Sequence, residues 1–556
     1  MPDPTPVQRA NIASHLTRMA QMQPARAAIF CANGRDAQGV AYAQMSFAEL
    51  EQDSNRLALA LTGIGMRRGI RCALMVPPGL DFFALTFALF KLGAVPVLID
   101  PGIGVRNMGG CLRQAKPEAF IGISRAHAAR VVMGWARDSL RIPVTVGAKW
   151  FWSGHTLAGL RATAPARSFE AIKPGEDETA AILFTSGSTG APKGVVYTHQ
   201  MFGAQVEHIR GLYGIEAGET DLATFPLFAL FGPALGMTTV IPEMDATRPA
   251  SVNPENIFSA IEKFGITNMF GSPALINRVG RHGEKHGLKL PTLRRAISAG
   301  APVPAKVLDR FAAMMRPGAE VFTPYGATEC LPVASIGSAE ILGETRQLTD
   351  DGAGVCVGRP VQGLEAKIIR ITDQPVAAWN ESLLLPAGET GEIVVKAAHA
   401  TRTYFDLPVA TALAKIPDPA SDSFYHRMGD LGYFDAQGRL WFCGRKAHRV
   451  ETAAGTSFSI PCESVFNTDH RVFRSALVGV PRNGAMQAVI CVELEPFALK
   501  EPREAIVAEL KRLAALHPHT RHIETFLFHP AFPVDVRHNA KIFREKLAVW
   551  AAAQLR

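Results

Sequence analysis

Between Arg71 and Ile99 two short apolar runs flank a longer one, and that order restricts the fold more than any other stretch of the chain. Arg71–Val76 and Ala94–Ile99 read as buried strands, with Phe82–Leu92 as the helix between them. Strands joined by a helix pair in parallel, and a parallel sheet needs helices over its faces. A membrane span does not fit, because Lys91 and Pro96 interrupt the stretch. The uncharged residues 224–242 are likewise broken by Pro226, Gly232, Pro233 and Gly236, and read as a buried or pocket-lining segment. The rhythm returns at Asn268–Phe270, Ile276–His286, Ala296–Ser298 and Lys306–Met315. A further helix over Ser46–Leu61 opens on a capping box of Ser46 and Glu49.

Beyond about Gly352 the texture changes to short strands and turns, at Ala366–Ile371, Gly391–Lys396 and Gly438–Cys443. A charged connector, Arg445-Lys446-Ala447-His448-Arg449, leads to a smaller α/β unit. There Ala476–Val480 and Ala488–Glu495 flank a turn at Pro481–Gly484, a hairpin signal, and Pro502 opens an amphipathic helix to Leu516. The expected fold is α/β. A large domain over 1–445 carries parallel, helix-covered sheets and a β-rich subdomain, and a small mobile domain covers 446–556.

Composition narrows the function classes. The chain has 556 residues, 47% hydrophobic and 19% charged, a globular balance too large for one core. Its net charge of +8 is spread along the chain, which points to a solvated surface and not to a nucleic-acid site. The eight cysteines contain no Cys-x-x-Cys pair, so neither a zinc site nor a disulfide framework is expected, and a cytoplasmic setting is. The first residues lack the basic and apolar regions of a secretory signal.

The strongest local motif is Thr185-Ser186-Gly187-Ser188-Thr189-Gly190-Ala191-Pro192-Lys193-Gly194, placed after the apolar run Ala180–Phe184. Small residues let backbone N–H groups converge on a phosphate chain, four hydroxyls add donors, and Lys193 adds a cation. It is not the P-loop arrangement, in which Gly-Lys-Ser/Thr opens a helix. Here Val195, Val196 and Tyr197 follow as a strand, so the loop is expected to handle a nucleoside triphosphate by other chemistry.

This loop resembles the signature of the adenylate-forming superfamily, which includes acyl-CoA synthetases, nonribosomal adenylation domains and luciferases. Further motifs follow in the same order across nearly the whole chain. Ser298-Ala299-Gly300-Ala301-Pro302 resembles the turn that contacts adenine. Tyr325-Gly326-Ala327-Thr328-Glu329 resembles the segment that stacks adenine on its tyrosine, sets its threonine at the α-phosphate and its glutamate on Mg²⁺. Asp430 matches the acid that holds the ribose hydroxyls, and Arg445 the arginine that approaches ribose or phosphate. Asn539-Ala540-Lys541-Ile542-Phe543-Arg544 resembles the C-terminal motif whose lysine reaches the α-phosphate and the reacting carboxylate. The resemblance implies that Lys541, Thr328, Glu329 and Lys193 are catalytic, that ATP and Mg²⁺ are used, and that a carboxylic acid becomes an acyl-adenylate.

Three departures narrow the resemblance. Ala447 stands where thioester-forming members keep a hinge aspartate, Ala229 where Pro-Leu-Phe-His is common, and Ala540 where glycine is usual. These residues, with the segments Thr224–Met237, Gly444–Val450 and Phe458–Glu463, resemble the β-lactone synthetases of bacterial olefin biosynthesis. That branch implies a long-chain 2-alkyl-3-hydroxy acid, ring closure by its own hydroxyl, and assembly with a β-lactone decarboxylase and an NADPH-dependent reductase. A long-chain acyl-CoA synthetase or acyl-AMP ligase is the alternative. None of the 16 histidines is singled out as the general base.

Overall fold

The computed structural model describes residues 11–185, 192–482, 484–534 and 541–555. Among them, three layers of sequence pattern become three bodies of structure. The first is a seven-stranded sheet built on the Arg71–Met75 and Val95–Ile99 strands. These pair in parallel through the Leu80–Leu92 helix, as the apolar order requires. Every side chain from Phe82 to Leu92 is buried. Lys91 is tolerated there because its ammonium reaches Glu51 at 2.8 Å, Asn55 Oδ1 at 2.7 Å and Ser54 Oγ at 2.8 Å. The Ser46–Glu49 capping box is present and opens the Phe47–Gly63 helix that supplies those partners.

The second body is a fourteen-stranded sheet that changes character along its width. One half is parallel and includes Thr220–Ala223, Asn268–Phe270, Arg295–Ile297 and Glu320–Ala327. From Glu320–Ala327 onward pairing is antiparallel, through Cys330–Gly337 and Val355–Pro360 to Leu440–Arg445 and Ser423–Phe434. The short strands beyond Gly352 therefore belong to the antiparallel part of the same sheet, whose pairing already switches at Cys330–Gly337.

The third body follows a short 3-10 turn at Lys446–His448. Strands Val472–Arg482, Ala485–Leu494 and Thr525–Phe528 form its sheet. Alternation sends Ala476, Val478 and Val480 to one face, against Leu547 and Ala551 of the Arg544–Gln554 helix. Leu477, Ile490 and Val492 meet Ile506 and Leu510 of the Arg503–Leu516 helix on the other face. Each buried Val, Leu or Ile among them contributes about 1.5–3 kcal/mol. Residues 224–242 form two short helices and a strand, and no helix among the described residues is long and apolar enough to cross a membrane.

Candidate active site

The site assembles where strand ends of the two large sheets converge. Thr185 ends one strand and Lys193 begins the next, and the two residues pair across an antiparallel hairpin. The glycine-rich motif thus joins strand to strand, unlike a P-loop. Ser186, Gly187, Ser188, Thr189, Gly190 and Ala191 lie outside the described residues. Lys193 itself is exposed.

The turn Gly300-Ala301-Pro302 leaves the C-terminal end of Arg295–Ile297, next to the strand that carries Tyr325 and Gly326. Gly300 takes φ of 100°, a conformation that glycine adopts without strain. Ligands of parallel sheets bind beyond the carboxyl ends of strands, and this pair of ends offers such a place. Ser298 is buried there, and its Oγ takes no hydrogen bond among the described residues, which suits a polar ligand.

Asp430 and Arg445 sit opposite each other on paired strands. Arg445 Nη1 lies 2.9 Å from Asp430 Oδ1, and the Tyr325 hydroxyl donates to Asp430 Oδ2 at 2.7 Å. Burial pushes the Asp430 carboxyl above its ordinary value, and the Arg445 cation opposes that. The same burial, with the Asp430 charge beside it, raises the Tyr325 hydroxyl well above its usual range. Sequence motifs separated by a hundred residues are thereby in direct contact.

Thr328 and Glu329 follow Ala327 at the end of the same strand. Two tyrosines grip them. The Tyr197 hydroxyl donates to the Thr328 carbonyl, and the Tyr404 hydroxyl donates to Glu329 Oε1 at 2.6 Å. Thr401 N–H donates to the Glu329 carbonyl at 2.8 Å, and buried Lys415 donates to the Thr401 carbonyl. Burial lowers the Lys415 ammonium to about 7, against the pull of the Glu329 charge. None of Tyr197, Tyr404 and Lys415 was expected from the motifs. Tyr197 had a readable signal, since Lys193, Val195 and Tyr197 alternate onto one strand face. Tyr404 had none, because only the bridge Val195–Tyr404 brings it there.

Glu329 suits a hard cation. It is half-buried, and one oxygen is already oriented by Tyr404. No cluster of three or more metal-ligating side chains occurs among the described residues. A magnesium ion carried by nucleotide phosphates needs only one or two carboxylates, so the residues fit that mode.

The C-terminal motif belongs to the small body. Asn539 and Ala540 lie outside the described residues, whereas Lys541 begins the described segment and Ile542 bridges Val534. Arg544 Nη2 reaches Glu463 Oε2 at 2.6 Å, and its Nε reaches Oε1 at 3.0 Å. Burial, with the charges of Arg544 and Arg445, lowers connector His448 to about 3. Around Ala447 the connector is tied to the large body. Lys446 Nζ reaches Glu392 at 3.1 Å and the Thr372 carbonyl at 2.8 Å, and Arg449 reaches Asp373 at 2.6 Å.

Comparison with known proteins agrees with this architecture. Residues 16–405 match the family model of the AMP-binding enzymes. The chain is 49% identical over 549 residues to an olefin beta-lactone synthetase of Xanthomonas campestris, covering 98% of each chain. It is 51% identical over 552 residues to one of Stenotrophomonas maltophilia, again covering 98% of each. Its fold matches the anthranilate CoA ligase AuaEII, solved with anthranoyl-AMP, at a TM-score of 0.80 and 20% identity over 99% of each chain. The chain belongs to the AMP-binding enzyme family of adenylate-forming ligases.

Proposed function

We propose that this enzyme converts a long-chain 2-alkyl-3-hydroxy acid into a β-lactone in bacterial olefin biosynthesis. In the first step a substrate carboxylate oxygen attacks the α-phosphorus of ATP, and pyrophosphate leaves. Tyr325 and the Gly300–Pro302 turn hold adenine, and Asp430 with Arg445 holds the ribose. Lys193 and the glycine-rich loop hold the β- and γ-phosphates. Thr328 and Lys541 meet the α-phosphate, where Lys541 offsets the charge gathered in the transition state. Magnesium arriving with ATP would be held by Glu329 and would neutralise phosphate charge.

In the second step the substrate's 3-hydroxyl attacks the activated carbonyl, the bond from that carbonyl carbon to the phosphate oxygen breaks, and AMP leaves while the hydroxyl proton passes to the departing phosphate or to water. No external acceptor is required. Well-oriented intramolecular nucleophiles reach effective molarities of about 10⁵–10⁸ M, and ring strain erodes only part of that advantage. The observation that carries the reading is the near full-length likeness to two olefin beta-lactone synthetases. Ala447 supports it, since a connector without the hinge aspartate suits an enzyme whose second nucleophile is already in place. Aromatic residues Phe225, Phe228 and Phe270, whose rings meet one another, are suited to the alkyl chains.

The test is incubation of the enzyme with ATP, magnesium and a 2-alkyl-3-hydroxy acid, without CoA, followed by mass spectrometry. The expected product is the acid less one water, formed with one AMP. Product that forms only when CoA is added overturns the lactone step in favour of an acyl-CoA ligase.

A further inference from the structure

Tyr404 stands between the two sides of the phosphate end of the site. It is buried, and its backbone is pinned to the strand that begins at Lys193. Tyr404 bridges Val195, Val196 N–H donates to the Thr403 carbonyl at 3.3 Å, and Phe405 N–H donates to the Gly194 carbonyl at 2.7 Å. Its two ends face different partners. The Lys193 ammonium lies 4.8 Å from the ring centroid, within cation–π range. The hydroxyl donates to Glu329 Oε1 at 2.6 Å, a charge-assisted bond. A buried tyrosine in a purely packing role needs some acceptor, and a carbonyl would serve. Here the acceptor is a half-buried carboxylate of the site, and the ring supports the site's cation.

We propose that Tyr404 is a positioning residue that fixes the separation of Lys193 and Glu329. Through it, the cation for the phosphates and the acid for the metal approach one triphosphate as a matched pair. The inference rests on the roles proposed above for those two residues. Tyr404 acts through these two side chains.

Two variants separate its two ends. Tyr404→Phe keeps the ring and its volume but loses the hydroxyl, and Tyr404→Leu loses both. The full-length enzyme is titrated with Mn²⁺ in the presence of a non-hydrolysable ATP analogue and followed by electron paramagnetic resonance. Analogue affinity is measured separately in chelator by calorimetry. Tyr404→Phe is expected to weaken Mn²⁺ binding about 10-fold. Metal-free analogue affinity should stay within about 2-fold, because the ring still supports Lys193. Tyr404→Leu should in addition weaken metal-free analogue binding by about 2–5-fold. Glu329→Gln distinguishes the two levels of the reading. If it leaves Mn²⁺ affinity unchanged, the metal role of Glu329 fails. If it weakens Mn²⁺ binding and Tyr404→Phe does not, the positioning role of Tyr404 is overturned.

Discussion

Among the buried carboxylates that face an arginine, Asp430 in the fourteen-stranded sheet and Glu463 in the small body differ in what remains available. Glu463 is saturated. Arg544 binds both of its oxygens, and Oε1 also accepts Leu477 N–H at 2.9 Å. Asp430 takes one guanidinium nitrogen on Oδ1 and one hydroxyl on Oδ2. A carboxylate offers about four acceptor positions, so Asp430 keeps capacity for a diol while Glu463 has spent its own on the fold. The buried acid with capacity to spare is the one beside the nucleotide motifs. The saturated one anchors the segment that presents Lys541.

That contrast can be broken in order of effect. Glu463→Ala should cost the small domain about 3 kcal/mol, since it strands a largely buried guanidinium. Urea unfolding checks it, and an unchanged midpoint would show that the pair carries no load. Lys541→Ala should instead leave the unfolding midpoint in place and slow acyl-adenylate formation by about 10²–10³. Pyrophosphate release, measured beside AMP binding, tests this, and unchanged release refutes the role assigned to Lys541. Asp430→Ala should weaken AMP binding by about 1.5–3 kcal/mol, the worth of hydrogen bonds to a charged group. Calorimetry decides it.

A third buried acid extends the series to the smallest effect. Asp221 receives the Asn268 amide and pairs with no arginine among the described residues. Burial pushes it up to about 7. Its folded state therefore holds a proton that the unfolded chain releases, and its contribution to stability falls as pH rises from about 4 to about 7. Asp221→Asn should flatten that part of the stability–pH curve, read from unfolding midpoints at a series of pH values. A slope identical to that of the native chain would place the titration elsewhere.

Much of the large body was legible before the structure. The apolar order of residues 71–99 requires a parallel pair, and the observed strands end within a residue of the expected limits. Hairpin Val472–Leu494 and helix Arg503–Leu516 also follow from local signals, although the strands run several residues longer than their apolar centres. Pairing extends a strand past its hydrophobic run because backbone hydrogen bonds do not depend on the side chain. The change of texture beyond Gly352 carries no signal that those strands share one sheet with the parallel ones.

What the sequence alone determined is the set of family motifs and their order, because tight turns demand particular residues at fixed local spacing. It also determined the strand–helix alternation, because periodicity records which face is buried. Only the tertiary structure decided which groups hold those motifs in place. Tyr404 meets Glu329, Tyr325 meets Asp430, and Arg544 meets Glu463 through pairings between distant segments. Such contacts leave no local pattern, since a tyrosine or an arginine looks the same in sequence whether it packs, solvates or supports a catalytic acid.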